Sequence, residues 1–391
     1  GDNYLYIYSH QITTVFIFQI ILSLFGRATF ILYIMQSFSI SFIIFMLYKI
    51  ANILFEDEDT NYIVVILGAL CFPLIFYVAF VYGLLPGMFL TLVAYYYFIK
   101  YTKEKHWYQL VISALSINLA ILLIGNNLIH LLAIFAVAVI YFIRNKDWKI
   151  IAFILSCVFL MSASKSVITN YYEVKSQKEI AEGVPKITWI AMGMQEGERE
   201  AGWWNRFNYD IMPEEEYDEK RITEISKTSM KQRLNVFRDN PKYAFDFYQR
   251  KYENQFIEPT FQSLLVTAPQ RNFSNETTLE KIRDFFVKQI YFNHTHTVLE
   301  FIMKVFQVFV YLFTFVFAVV MYKLKNEFFA IIPIAFIGGT LFNMIWEAKS
   351  RYIFPYFVFL IPLAAYGLVI VRNKIKEYKK LKEEKDEKST I

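Results

Sequence analysis

Cysteine is almost absent. Two residues in 391, Cys71 and Cys157, exclude a disulfide framework, and both lie inside apolar runs, where they read as small core side chains. A His/Cys cluster at zinc spacing, a nucleotide-binding glycine loop and an arguable Ser-His-Asp order are also missing, so no metal ligand set and no triad is assigned. Charge is scarce, at 19% of the chain. The net +5 comes from residues in short loops between apolar runs, which excludes nucleic acid as the partner. Internal repeats and low-complexity linkers are lacking. So are a leading Met, a signal peptide and an apolar helix ahead of the opening "GDNYLYIYSHQ". That start looks cut, and a segment upstream of Gly1 is expected.

Apolar and aromatic residues are abundant: 56% hydrophobic, with 40 Phe and 28 Tyr. Runs of roughly 16–25 apolar residues suit a bilayer core of about 30 Å. The expected fold is an all-α polytopic membrane protein. It has about nine transmembrane helices, an outer juxtamembrane helix and a small, mainly helical extracytoplasmic domain. Spans are expected at 30–52, 62–81, 86–100, 107–124, 127–143, 150–167, 297–322, 327–346 and 353–371. Residues 11–25 are too short to cross and predict an interfacial helix ending at Gly26. The chain thus divides into a juxtamembrane segment (1–26), transmembrane helices (27–167), an extracytoplasmic domain (168–296), C-terminal transmembrane helices (297–371) and a charged cytoplasmic tail (372–391).

Orientation follows from the basic loops. Lys100, Lys103 and Lys105, then Arg144, Lys146 and Lys149, then Lys323 and Lys325, then the tail, alternate with loops near 82–87 and 125–127 that carry no Lys or Arg. The basic set is read as cytoplasmic, and the acidic loop Glu56–Asn61 falls with it. Residues 168–296 and the "WEAKSRY" loop fall outside. Nine spans then put residue 27 outside, and an inside N-terminus needs one more span upstream. Within 168–296, Pro213 and three Glu predict a helix over 213–238, and "DNP" at Asp239–Pro241 ends it and starts another. The sequons at Asn272, Asn275 and Asn293 are chance matches outside a eukaryotic source.

Candidate chemistry sits in three stretches. In "WEAKSRYIFPYF" (Trp346–Phe357), Lys349 and Arg351 run against the charge bias of an outer loop. Arg offers a planar fork for phosphate oxygens and Lys a point charge. Glu347 suits orienting them, binding a divalent metal or taking an acceptor hydroxyl. The same residues also suit a wet loop cap with Trp346, Tyr352 and Tyr356 as an interfacial belt. In "WIAMGMQEGEREAGWWNRFNYDI", Trp203, Trp204 and Asn205 suit a sugar face or lipid headgroups, or else a small core for the domain. In "YIYSHQ", His10 and Gln11 are polar groups beside the interfacial helix, and His10 could carry a proton. Lys165 snorkels, Glu300 and Lys304 can pair on one helix face, and His130 with Asn126–Asn127 marks a short outer turn.

These stretches together resemble the GT-C membrane glycosyltransferases, specifically bacterial members related to the protein O-mannosyltransferase and aminoarabinose transferase group. "YSHQITTVFIFQIILSLFG" resembles their "YPHQ…LFG" helix, with Ser9 where Pro is usual. "VYGLLPG" resembles their "YG-x-x-PG" loop. "WIAMGM…GWWN", "DNPKYAFDFYQRKYENQFIEPTF" (with Phe256 for Trp) and "EAKSRYIFPYFVFLIPLAAYG" resemble further motifs, and the set covers nearly the whole chain. The resemblance implies transfer of a sugar from a polyprenyl-phosphate donor to a cell-envelope polysaccharide, teichoic acid or glycolipid at the outer face. Arg351, Lys349 and Tyr352 would meet the donor phosphate, and Glu347, His10, Gln11, Trp203, Trp204 and Asn205 the acceptor or donor sugar. No cofactor is demanded, and a divalent metal stays open. The family's general base is an Asp or Glu in the first outer loop, which places it upstream of Gly1, with Asp2 too close to the juxtamembrane helix to serve. The chain could then be an inactive fragment. A lipid-linked-sugar flippase and a non-catalytic scaffold are the competing readings.

Overall fold

A computed structural model describes residues 4–197, 199–215, 217–269, 277–324 and 327–389. Asp2, Asn272, Asn275 and Lys325 lie outside the described residues. Every regular element among them is helical. The first group comprises α1 (Tyr4–Ile7), α2 (Ile12–Phe25), α3 (Thr29–Phe55), α4 (Glu58–Leu70), α5 (Phe72–Phe76), α6 (Leu84–Glu104), α7 (Trp107–Leu123), α8 (Leu128–Asn145) and α9 (Trp148–Ser176). A polar domain follows, with α10 (Lys186–Gly193), α11 (Phe207–Glu214), α12 (Glu219–Asp239), α13 (Pro241–Phe256), α14 (Ser263–Thr267) and α15 (Thr278–Tyr291). The chain returns to the bundle in α16 (His294–Val320), α17 (Ile331–Ile345), α18 (Ser350–Phe359) and α19 (Ile361–Ser389).

Five described helices are long and apolar enough to cross a membrane by themselves, and two bent pairs bring the number to seven. The bent pairs are α4 with α5 and α18 with α19, each turning by 50°. Each break has a proline beside it: Pro73 at the start of α5 and Pro362 at the second position of α19. Proline lacks the N–H that would continue the ladder and crowds the preceding turn. Of the nine spans expected from sequence, α6 and α7 fall short, α7 at 17 residues and α6 through the polar run Tyr95–Tyr97. Their position explains their composition. Tyr95, Phe98 and Tyr101 are fully buried, and α6 packs between α7 and α3. A helix sheathed by other helices tolerates polar atoms that a lipid-facing one does not. Lipid-facing helices show the converse, with Phe159 on α9 and Phe301 and Phe315 on α16 exposed.

The loops gather at two ends of the bundle. At one end the basic loops meet acids: Lys103 bonds Glu56 at 2.6 Å, Lys105 lies 3.4 Å from Asp147, Arg144 lies 3.0 Å from Glu327, and Arg372 pairs with Asp59. The acidic loop supplies two of these partners, Glu56 and Asp59, and Asp147 and Glu327 supply the other two. Acids at this end also shape helices, since Asp57 caps α4 through the Thr60 N–H at 2.8 Å and Asp147 caps α9 through the Lys149 N–H. At the other end, Thr13 and Thr14 of α2 donate to the carbonyls of Leu122 and Leu123 at 2.7 and 2.8 Å. These carbonyls close α7 and have no helical partner, so α2 is pinned across the end of α7.

The helix expected over 213–238 starts later than its proline suggested. Pro213 lies near the end of α11, and α12 begins at Glu219 because Asp218 accepts from the N–H groups of Lys220 and Arg221. At "DNP" the reading from sequence is correct: Asn240 caps α13 through the Tyr243 N–H, with Pro241 in the first turn. His130 does not mark a turn. The turn is Gly125–Asn127, and His130 is buried within α8 against Tyr95 and Tyr356.

Candidate functional site

The site forms where the "WEAKSRY" segment meets the polar domain. Between α17 and α18 the chain runs extended from Trp346 to Lys349. Two glycines allow the domain to close on it. A Cβ on Gly193 would stand 2.5 Å from the Trp346 carbonyl oxygen. Gly202 takes φ +70°, accepts the Ala348 N–H on its carbonyl at 2.9 Å, and lies against the Lys251 side chain. Gly193→Ala is therefore expected to cost about 1–3 kcal/mol by overpacking, read as a lower thermal midpoint of the purified protein.

Lys251 ties the three segments together. It is fully buried on α13, and its ammonium donates to Gly193 O at 2.5 Å and Trp346 O at 2.7 Å. Burial pulls its pKa down to about 7, against the opposing pull of Glu347. Ser350 starts α18 and donates to Glu258 at 2.7 Å. Glu258 also receives the N–H groups of Thr260 and Gln262, so this carboxylate staples the 258–262 turn to the helix.

Glu347 is 1% exposed. Lys349 pairs with one of its oxygens and the Tyr352 hydroxyl donates to the other at 3.2 Å. The Lys349 ammonium also lies 5.9 Å from the ring centres of both Trp203 and Trp204 and 5.8 Å from that of Tyr352. Burial lowers the Lys349 pKa, and Arg351 and Arg199 add to this while Glu347 opposes it. Arg199 in turn covers the Trp203 ring at 5.8 Å.

Arg351 is held differently. Its guanidinium sits over Phe80 at 5.5 Å and Tyr352 at 5.4 Å. Among the described residues no carboxylate lies within ion-pair distance of it. The Phe80 carbonyl is itself held by Gln36 of α3 at 3.1 Å.

Four of the residues singled out from sequence, Glu347, Lys349, Arg351 and Tyr352, thus share one site with Trp203 and Trp204. The tryptophans do not form the domain's core, since Phe237, Phe247, Met194 and Ala201 do that. Asn205 points elsewhere. It donates to Gln195 at 2.7 Å and accepts from the Phe207 N–H, shaping the loop into α11. His10 is exposed and reaches the site only through a ladder of rings. It meets Trp189 edge-on at 6.2 Å, and Trp189 stacks on Trp346 at 6.0 Å. Gln11 closes the turn before α2 with its N–H on Tyr8 O at 3.0 Å. No three metal-type ligands are gathered among the described residues.

Sequence reasoning missed Lys251, Arg199, Glu200 and Phe80. Only Lys251 left a signal: Phe247, Lys251 and Gln255, four apart on α13, are all buried, so a cation occupies the inward face of an amphipathic helix. Glu200 follows Arg199 in the loop that carries Trp203. Burial and the nearby Glu258 raise its pKa, while Arg199 opposes them.

A family model described as "Conserved hypothetical integral membrane protein" matches residues 4–369. The chain belongs to that family. The match takes in both the bundle and the polar domain, so every residue of the site lies inside it. No curated protein and no solved structure matches.

Proposed function

We propose that this integral membrane protein is a glycosyltransferase. It moves a sugar from a polyprenyl-phosphate donor to a cell-envelope polysaccharide, teichoic acid or glycolipid at the outer face, with the charged tail in the cytoplasm. The observation that carries this reading is Arg351, a cation seated between two aromatic rings with no carboxylate partner among the described residues. Lys349 is already met by Glu347. Arg351 is the fork left for phosphate oxygens. An apolar groove supports the lipid part of the donor. It has a volume of about 460 Å³ and is lined by Ile17 and Ile21 of α2, Met35 and Phe42 of α3, Phe89 of α6 and Leu119 of α7. Gln36, next to Met35, holds the residue beneath Arg351. Helix α3 thus both lines the groove and holds the residue beneath the cation, suiting a chain with a charged end.

In the reaction, the acceptor oxygen bonds to the anomeric carbon as the carbon–oxygen bond to phosphate breaks. The phosphate leaves with its electron pair, and Arg351 meets the charge that develops. The acceptor proton needs a base. Among the described residues, Glu200 is the candidate. No hydrogen bond or ion pair holds its side chain among the described residues, and its pKa is raised by burial, which makes it a stronger base than a free carboxylate. Glu200→Gln is expected to lower transfer about 10²–10⁴-fold with donor binding unchanged. Wild-type transfer by this variant would remove the base role from Glu200.

The test is reconstitution in lipid vesicles with polyprenyl phosphate. Saturable quenching of tryptophan fluorescence is expected, since Trp203 and Trp204 flank the site. With the sugar-loaded donor, label should pass to an envelope acceptor. Binding without transfer by the full chain would favour a scaffold, and appearance of donor in the opposite leaflet a flippase.

A further inference from the structure

Helix α15 is amphipathic with its polarity reversed. It is opened by a capping box between Thr277 and Glu280. The face turned to the protein carries Glu280, Asp284, Val287 and Tyr291, and Asp284 is only 3% exposed. Tyr291 shares a hydrogen bond of 2.9 Å with Thr267, which fixes this face inward. The opposite face carries Leu279, Ile282, Phe285 and Phe286, which are 79%, 51%, 58% and 58% exposed. At 100° per residue these four fall within one arc, with Lys281 and Lys288 on one flank and Arg283 on the other. A helix on a water-facing domain would be turned the other way.

We propose that α15 lies in the surface of the bilayer. Its four apolar side chains enter the acyl boundary, and the lysines on its flank face anionic lipid phosphates, while Arg283 on the other flank is paired with Asp284 at 2.7 Å. The occupant is argued from continuity. Only Phe292 and Asn293 separate α15 from α16, a 27-residue helix about 40 Å long. That length exceeds a hydrocarbon core of about 30 Å, so the start of α16 stands at headgroup height. Its first turns expose Val298, Phe301 and Ile302, and Phe292 in the link is exposed as well. The apolar face of α15 therefore extends a surface already given over to lipid. Such helices sink about 5–10 Å into the headgroup region, with Lys and Arg along their edges. The inference stands apart from the proposed transfer, because it concerns how the polar domain is seated.

The test uses the full chain in phosphatidylglycerol/phosphatidylethanolamine vesicles. An environment-sensitive fluorophore is placed by Phe286→Cys and separately by Phe285→Cys. Cys71 and Cys157 are buried and serve as the unlabelled background. Emission at both positions should be blue-shifted and lose most of its intensity to lipids spin-labelled near the headgroup. It should lose less to lipids labelled near the chain end. A third label at Lys231→Cys, an exposed position on α12, which packs against α10 and α13, should stay unquenched. Water-like emission at 285 and 286 would overturn the proposal. So would blue-shifted emission that no spin-labelled lipid quenches, which would assign the face to a protein partner or a second copy. Replacing phosphatidylglycerol with phosphatidylcholine should weaken the quenching; if it does not, the role given to the flanking lysines is wrong.

Discussion

Arg351→Ala is expected to lower sugar transfer about 10²–10³-fold, the usual cost of removing one group that meets charge developing in a transition state. The protein should still insert and keep its thermal midpoint. Arg351 makes no ion pair among the described residues, and its side chain rests on two rings that stay packed without it. Arg351→Lys separates charge from shape. A lysine restores the charge but not the planar fork or the ring stacking, so intermediate transfer is expected. Saturation with polyprenyl phosphate alone gives the ground-state part of the effect, and transfer rates with the loaded donor give the rest. Intact transfer in Arg351→Ala would remove the phosphate site from this loop.

Lys251→Met should have the largest effect on stability. It strips the donors from Gly193 O and Trp346 O, two buried carbonyls worth about 1–3 kcal/mol each when left unpaired. The pH dependence carries a distinctive sign. With a folded pKa of about 7 against 10.5 in the unfolded chain, the unfolded state holds more protons between those values. Stability therefore rises with pH across that window. From pH 7 to 9 the gain is about 2–3 kcal/mol. Below pH 7 both states carry the proton and the dependence on this group vanishes. The chemistry agrees, since a neutral amine has two N–H donors and Lys251 has two carbonyl acceptors. Thermal unfolding at stepped pH should show this rise in the wild type and none in Lys251→Met. A wild-type midpoint that stays flat from pH 7 to 9, as in Lys251→Met, would mean that the buried amine stays charged.

The fold was largely readable from sequence because lipid imposes strong rules on composition. Apolar run length located the helices. Asn240 with Pro241 gave a helix start, and cations running against the expected charge bias pointed to residues 347–351. What could not be read was anything settled by contact between distant segments. The start of α12 depends on Asp218 winning the capping position from the more conspicuous Pro213. The 50° bends depend on where Pro73 and Pro362 interrupt the ladder. Trp203 and Trp204 had two meanings until Lys349 was found beneath them. Lys251 looked like one more lysine in a charged helix, since its two carbonyl partners lie on segments 58 and 95 residues away.

The separation between Lys251 and Trp346 also bears on how the protein is made. The polar domain is synthesised well before residues 346–351 reach the membrane. Until then the Lys251 amine, Glu258 and the Gly202 carbonyl lack their partners in that segment. The domain should therefore wait in a loosened, protease-sensitive form and lock only when the α17–α18 hairpin inserts. Quality control of this protein would thus sense completion of its last bundle helices through the state of a domain translated long before them.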